Sequence, residues 1–175
     1  AAHIPGVKVV VPSTAGECKG LLTTAIRDND PVMFFEHKML YTTKFNDVPE
    51  VEEDVCIPFG RARIVAEGAD ITVVTNSMMT IKAEKAVRQL QKEGISAELI
   101  DLRTIVPLDT ETIIRSVKKT GKLLIVDEGH LSFGITGEIA SRIMPDVFYD
   151  LDAPIQRMGT ADVPLPFSPA LEFPL

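Results

Sequence analysis

The chain has 175 residues, of which 45% are hydrophobic, and a formal net charge of −7. This length fits one domain of average size, or one domain and part of another. The negative charge disfavours a nucleic-acid-binding protein, and no apolar run reaches the roughly 18 residues of a membrane span, so neither partner is expected. Cys18 and Cys56 are too few for a disulfide framework and predict a reducing compartment.

The first elements along the chain form a strand–helix–strand unit. Residues 7–11 are rich in valine and lie between a glycine and a proline, which predicts a strand. Thr14 and Glu17 have the spacing of a helix capping box, and apolar residues then recur at helical spacing. Residues 32–35 predict a second strand. Two strands and one helix cannot cover both faces of a sheet, so this unit is expected to be incomplete or to pack on another element.

The next segment, residues 46–57, is the predicted linker. It contains prolines and has little hydrophobic periodicity, and its residues 46–54 carry acidic side chains but no basic one. A solvated acidic connector is the first interpretation, and a docking site for a basic partner is the alternative.

Strands and helices alternate from about residue 58 onward. Strands are predicted at 61–66, 71–75, 95–102, 123–126 and 155–158, with helices around 83–94, 109–121 and 134–144. Asp109 is the predicted N-cap of the second of these helices and Gly121 its C-terminal stop. This alternation predicts a three-layer α/β fold with a mostly parallel sheet.

Common enzymatic motifs such as GxGxxG, GxSxG and HExxH are absent from the sequence. Glu36 and His37 follow a predicted strand and are therefore candidates for lining a pocket, although a surface position for His37 is the alternative. Asp127 and Glu128 end a buried strand, where α/β sheets place functional carboxylates. Capping of a loop is the alternative for this pair.

The residues that follow the first helix suggest a cation site. The carbonyl groups of Ala25 and Ile26 lie at the helix end, where they lack intrahelical partners. Together with the carboxylates of Asp28 and Asp30 they form an oxygen set suited to a hard cation. An ordinary turn that stops the helix is the alternative.

Several long stretches of the sequence resemble one known family. They are HIPGVKVVVPSTAGECKGLLTTAIRDNDPVMFFEHKMLY, GRARIVAEGADITVVTNS, ELIDLRTIVPLDTETIIRSVKKTGKLLIVDEG, FGITGEIASRIM and DAPIQRMGTADVPLPFSPALE. In this order they resemble the β subunits of thiamine-diphosphate-dependent 2-oxoacid dehydrogenases, including pyruvate and acetoin dehydrogenases.

The resemblance implies a domain organisation. Residues 1–45 correspond to the end of a pyrimidine-binding-type α/β domain, and residues 46–57 are the linker. Residues 58–175 correspond to a domain like the C-terminal domain of transketolase, without its closing helix. The family's catalytic glutamate and histidine are expected before the first residue. The chain is therefore expected to be truncated at both ends, to hold no catalytic or cofactor-binding residue, and to be inactive alone.

The resemblance also implies partners and cofactors. The family forms α2β2 assemblies that decarboxylate a 2-oxoacid or cleave acetoin and pass the acyl group to a lipoyl acyltransferase core. Thiamine diphosphate and magnesium are held largely by the α subunit. In the family a potassium ion binds at the positions of Ala25, Ile26, Asp28 and Asp30. The expected location is the cytoplasm of a bacterium or archaeon, or the mitochondrial matrix or plastid of a eukaryote.

The substrate and the class of protein both have alternatives. FFEHKMLY favours acetoin, whereas IRDNDPV, FGITGEIASRIM and TADVP favour pyruvate. A fragment of another transketolase-like thiamine enzyme, such as a deoxyxylulose-phosphate synthase, is the second enzymatic hypothesis. A non-enzymatic α/β assembly module that binds only protein partners is the third.

Overall fold

The computed structural model describes residues 1–42, 55–166 and 168–172. Within these ranges the strands are β1 (Lys8–Val10), β2 (Val32–Phe34), β3 (Arg63–Ala66), β4 (Ile71–Thr75), β5 (Ala97–Asp101), β6 (Thr104–Val106), β7 (Leu123–His130) and β8 (Gln156–Thr160). The helices are α1 (Ala15–Arg27), α2 (Ser77–Lys92), α3 (Thr110–Thr120), α4 (Ile135–Val147) and α5 (Pro169–Glu172), and a short 3-10 helix spans Lys38–Tyr41.

The larger sheet has five strands in the order β3-β5-β4-β7-β8. The strand β3 runs antiparallel to β5, and the other neighbours in this sheet are parallel. This arrangement confirms the mostly parallel sheet that the alternation of strands and helices predicts. It also places β4 at the centre of the sheet.

Helices cover both faces of the five-stranded sheet. Because successive side chains of a strand point to opposite faces, Val73 packs toward α2 while Val74 packs toward α3 and α4. Leu99 and Ile100 alternate in the same way on β5. These four side chains are at most 5% exposed. The three-layer architecture predicted from the sequence is therefore confirmed.

The helix α3 has the caps that its sequence predicts. Asp109 accepts a hydrogen bond from the backbone N–H of Thr112 at 3.1 Å, and it also accepts one from the N–H of Ala62 at 2.8 Å. Gly121 adopts the left-handed conformation at φ 69°, and its N–H donates to the carbonyl of Val117 at 2.8 Å. Asp109 thus fixes the start of α3 and the approach of the chain to β3.

The smaller sheet has three strands in the order β2-β1-β6. The strands β1 and β2 are parallel, as expected for a strand–helix–strand unit, and β6 pairs with β1 in the antiparallel sense. The strand β6 was not predicted from the sequence, because it has only three residues and directly follows a turn after β5. The N-terminal unit was expected either to be incomplete or to pack on another element, and β6 is an element from the rest of the chain that pairs with it.

Only the end of the predicted linker 46–57 belongs to the described residues, since positions 46–54 lie outside them. The N–H of Ile57 donates to the carbonyl of Gly20 at 3.1 Å, and the hydroxyl of Thr24 donates to the carbonyl of Ile57 at 2.8 Å. A Cβ atom at Gly20 would lie 2.7 Å from Cγ1 of Ile57. The chain therefore crosses α1 in close contact before it reaches the larger sheet.

Candidate functional site

A cavity of about 620 Å³ lies beside the start of α1. One wall is formed by residues 12–15, which connect β1 to α1, and by the first turns of that helix. The opposite wall is formed by the segment between Glu36 and Tyr41. The structure therefore places both pocket candidates, Glu36 and His37, in the lining of one cavity. Their role in chemistry stays a prediction.

Thr14 starts the helix that forms the first wall of the cavity. Its hydroxyl oxygen accepts a hydrogen bond from the N–H of Glu17 at 3.3 Å, as in a capping box. The carboxylate of Glu17 does not complete the box by returning to Thr14. It accepts hydrogen bonds from the N–H of Ser13 at 3.2 Å and from the Ser13 hydroxyl at 2.6 Å. This shift by one residue directs Glu17 inward.

Glu36 lies at the centre of a small hydrogen-bonded group in the cavity wall. Cys18 Sγ donates to its Oε1 at 2.9 Å, and the Tyr41 hydroxyl donates to its Oε2 at 2.7 Å. These two donors lower the pKa of Glu36, the Cys18 bond having the larger effect. Burial, with the nearby Glu36 carboxylate, raises the pKa of Cys18 to about 12. Cys18 is therefore a thiol at neutral pH, which does not suit a catalytic nucleophile.

His37 joins the N-terminal unit to the larger sheet. Its Nδ1 accepts a hydrogen bond from the N–H of Met39 at 3.2 Å, so the ring proton of a neutral imidazole belongs on Nε2. Nε2 lies 3.0 Å from Oε2 of Glu128, in the last part of β7. Glu128, one of the two carboxylates predicted to be functional at this strand end, therefore has His37 as a specific partner.

Asp127 caps a loop, which was the alternative interpretation for Asp127 and Glu128. Its Oδ1 accepts from the side-chain amide of Asn76 at 2.9 Å, and its Oδ2 accepts from the N–H of Gly129 at 3.0 Å. These bonds hold the ends of β4 and β7 together. Asp127 thus stabilises the loop structure at this edge of the sheet.

The predicted cation ligands lie next to a lysine. The ammonium group of Lys8 is 2.6 Å from Oδ2 of Asp28 and 3.1 Å from Oδ2 of Asp30. The hydrogen bond from Lys8 lowers the pKa of Asp28, and the same bond raises the pKa of Lys8. The carbonyl of Ala25 accepts from the N–H of Asp28 at 3.3 Å, while Ile26 is 77% exposed. Binding of a potassium ion here stays a prediction.

A buried charged cluster joins α1 to the end of β5, and our sequence analysis did not predict it. Asp101 is fully buried, and its Oδ2 is hydrogen-bonded to the hydroxyl of Ser13. Glu17 contacts two guanidinium groups, Arg103 Nε at 2.8 Å and Arg63 Nε at 2.6 Å. The N–H on Arg63 Nε does not point at the carboxylate, so this second contact is an ion pair without a hydrogen bond. The sequence feature that could have indicated this cluster is Asp101, an aspartate inside a strand that was predicted to be buried.

The described part of the chain contains no group of three or more His, Cys, Asp or Glu side chains that could hold a metal ion. None of the described helices has the length and apolar character needed to cross a membrane.

Two family models match the chain. The transketolase C-terminal domain matches residues 60–173, and the pyrimidine-binding domain of transketolase matches residues 1–44. Together they are consistent with the resemblance drawn from the sequence.

Several relatives with known names are similar in sequence to this chain. The pyruvate dehydrogenase E1 component subunit beta of Rickettsia felis is 52% identical over 98% of this chain and 52% of its own length. The 2-oxoisovalerate dehydrogenase subunit beta of Bacillus subtilis is 45% identical over the same shares of the two chains. The acetoin:2,6-dichlorophenolindophenol oxidoreductase subunit beta of Cupriavidus necator is 48% identical over 97% of this chain and 49% of its own. The chain thus spans about half the length of these relatives.

A solved structure shares the fold. It is described as a split gene transketolase, an inactive beta4 tetramer, and it superposes with a TM-score of 0.72 at 26% identity over 91% of this chain and 49% of its own. The five-stranded sheet, its two helical layers and the matched residues 60–173 agree with one another. The chain belongs to the transketolase C-terminal domain family.

Proposed function

We propose that this chain is part of the β subunit of a thiamine-diphosphate-dependent 2-oxoacid or acetoin dehydrogenase. The proposal is carried by one observation, which is that β subunits of such enzymes are 45–52% identical to 97–98% of this chain. The reaction is the oxidative decarboxylation of a 2-oxoacid, or the cleavage of acetoin, with transfer of the acyl group to a lipoyl group.

In this proposal the cofactor is bound mainly by other parts of the assembly. The diphosphate and the magnesium ion belong to the α subunit, as the family resemblance implies. When bound, thiamine diphosphate supplies the carbanion that attacks the substrate carbonyl. This chain contributes the cavity that Glu36 and His37 line, in which an ionised carboxylate and an imidazole N–H are held in fixed orientation.

The proposed partners are an α subunit, a second β subunit in an α2β2 assembly, and a lipoyl acyltransferase core. Exposed apolar side chains of the N-terminal unit support such contacts, because monomeric proteins seldom leave such side chains grouped on their surface. They are Ile26, Met33, Phe35, Met39 and Tyr41, each between 41% and 77% exposed. We also propose the domain limits 1–45, 46–57 and 58–175. The proposed compartment is the cytoplasm of a bacterium or archaeon, or the mitochondrial matrix or plastid of a eukaryote.

We also propose that a potassium ion binds at the carbonyls of Ala25 and Ile26 together with the carboxylates of Asp28 and Asp30. The ammonium of Lys8 competes for the same two carboxylates. Crystals soaked in thallium should show an anomalous peak at the end of α1, and the peak should strengthen in Lys8→Met but not in the control Lys92→Met. An anomalous map without a peak in any of the three proteins would remove the cation site.

The test of the proposed function uses the full-length protein produced with its α subunit. Pyruvate, 2-oxoisovalerate and acetoin are supplied in turn, with thiamine diphosphate, magnesium and an artificial electron acceptor. We expect turnover with at least one substrate only when both subunits are present, and none from the 175-residue chain with the α subunit. An assembly that forms but reduces no acceptor with any substrate would instead favour an assembly module without enzymatic activity.

The same assay tests the cavity. Replacement His37→Asn removes the contact with Glu128 and should lower turnover, whereas His3→Asn changes an exposed histidine and should not. Equal activity of the two variants would mean that the cavity is not part of the active site. The family assignment would be unaffected by that result.

A further inference from the structure

The hydroxyl of Ser13 lies between two buried carboxyl groups from different parts of the chain. Its oxygen is 2.6 Å from Oε2 of Glu17 on α1, and it is also hydrogen-bonded to Oδ2 of Asp101 at the end of β5. Ser13 and Asp101 are fully buried, and Glu17 is 3% exposed. These three groups are therefore in direct contact and shielded from bulk solvent.

The number of protons in this cluster follows from simple chemistry. A serine hydroxyl has one hydrogen to donate, and an ionised carboxylate can only accept. If Glu17 and Asp101 were both ionised, one of the two oxygen–oxygen contacts with Ser13 would have no hydrogen. One carboxyl group must therefore carry a proton for both contacts to be hydrogen bonds.

The neighbours of each carboxyl group identify which one is neutral. Glu17 has the guanidinium groups of Arg63 and Arg103 within 2.6 and 2.8 Å of its Oε1, and the N–H of Ser13 at its Oε2. Asp101 has a weaker set, with Arg63 Nη2 at 3.3 Å and the N–H of Arg103 at 3.3 Å. Positive charge is thus concentrated on Glu17, which favours its ionised form.

We propose that Asp101 is a neutral carboxylic acid in the folded protein and that it donates a hydrogen bond to Ser13, which in turn donates one to Glu17. This relay closes the contact between α1 and the larger sheet. When Asp101 loses its proton, two carboxylates face one hydroxyl, and their repulsion loosens α1 from the end of β5. The relay is a pH-sensitive contact between the N-terminal unit and the larger sheet.

Electrostatics supports this assignment. Burial, and then the charge of Glu17, raise the pKa of Asp101 to about 7 from its ordinary value of 3.8. The arginine contacts and the bond from Ser13 lower the pKa of Glu17 despite its burial. Among the described residues, the charged groups in contact with Asp101 and Glu17 are Arg63 from β3 and Arg103 from the turn after β5. No further titratable group is needed to explain the change with pH.

The sign of the effect on stability follows from proton linkage. Between pH 3.8 and about 7 the folded form holds a proton on Asp101 that an opened form has released. This contribution to stability therefore decreases as pH rises across that interval and becomes constant above it. One such proton changes the opening equilibrium by at most about tenfold per pH unit.

The first test is infrared spectroscopy of the full-length protein in its native assembly. At pH 6 the C=O stretch of a protonated carboxylic acid should be present, and it should shift when aspartate, but not glutamate, carries ¹³C in the carboxyl group. The band should disappear between pH 6 and 9 and should be missing in Asp101→Asn. A band that shifts with the glutamate label, or no band that depends on Asp101, would overturn the proposal.

The second test measures hydrogen exchange of the amides in α1. The protection factors of the wild type should fall as pH rises from 5 to 7, those of Asp101→Asn should not, and Asp146→Asn, at an exposed acid, should behave as the wild type. If Asp101→Asn does not fold, Ser13→Ala replaces it, because the acid then loses its acceptor and its infrared band should move to higher frequency. Identical pH dependence in wild type and Asp101→Asn, or an unmoved band in Ser13→Ala, would contradict the relay.

Discussion

The two sheets of this molecule are stabilised in different ways. The five-stranded sheet is covered by helices on both faces, and its central strands β4 and β5 are almost completely buried. The three-stranded sheet has strands of three residues each, and Met33 and Phe35 at its edge are 41% and 47% exposed. The larger sheet is therefore held mainly by apolar burial. The smaller sheet depends on contacts with other parts of the chain.

Two of the connections that hold the smaller sheet in place start from the end of β5. The strand β6 is supplied by the segment after β5, and the cluster of Ser13, Glu17 and Asp101 fastens α1 to the same strand end. Both lie at the carboxyl end of β5. We therefore expect substitutions in the apolar layers to affect the larger sheet and substitutions in the cluster to release the N-terminal unit.

The largest effect is expected from a cavity in the apolar core. Ile100 is a fully buried residue of β5 whose side chain packs toward the helices α3 and α4. The substitution Ile100→Ala should therefore lower the free energy of unfolding by about 3 kcal/mol. The control is Ile95→Ala, whose side chain is 40% exposed and whose loss should cost much less. Urea unfolding followed by circular dichroism measures both. Equal losses for the two variants would contradict a core organised around β5.

A smaller and more local effect is expected from Glu17→Gln. The substitution removes the charge that faces Arg63 and Arg103, and loss of hydrogen bonds to charged groups costs about 2 kcal/mol. Limited proteolysis should then cut within residues 1–42 while the larger sheet stays protected.

The matched control for this variant is Glu84→Gln, which removes an exposed ion pair with Arg88 within α2. Surface pairs of this kind contribute less than about 1 kcal/mol, so no new cleavage is expected. If Glu17→Gln exposes both sheets to the protease at the same time, the two regions unfold together and the distinction between them is wrong.

Sequence reasoning succeeded where the determinants are local. Asp109 and Gly121 were predicted as the limits of α3 because caps act within one helical turn, and the structure confirms both. The central strand β4 was predicted from a β-branched apolar run, because burial on two faces leaves a continuous apolar pattern. The placement of Glu36 and His37 after a strand end also followed from local order along the chain.

The features that were not predicted depend on distant pairing. The strand β6 is too short to have a pattern of its own and exists because Val9 pairs with Val106. The contact of Ser13 with Asp101 spans 88 positions, and nothing in either local sequence specifies the other. The position of Lys8 between Asp28 and Asp30 likewise requires β1 to lie beside the end of α1.

The smallest expected effect compares one helix cap from each region. Asp109→Ala removes bonds to the N–H groups of Thr112 and Ala62, and Thr14→Ala removes a single bond of 3.3 Å from Glu17. Loss of an N-cap costs about 1 kcal/mol, so Asp109→Ala should lower the urea midpoint of the whole chain. Thr14→Ala should leave that midpoint nearly unchanged and increase hydrogen exchange in α1 alone, because α1 belongs to the unit held by few contacts. A midpoint shifted more by Thr14→Ala than by Asp109→Ala would mean that the N-terminal unit, rather than the larger sheet, limits the stability of the molecule.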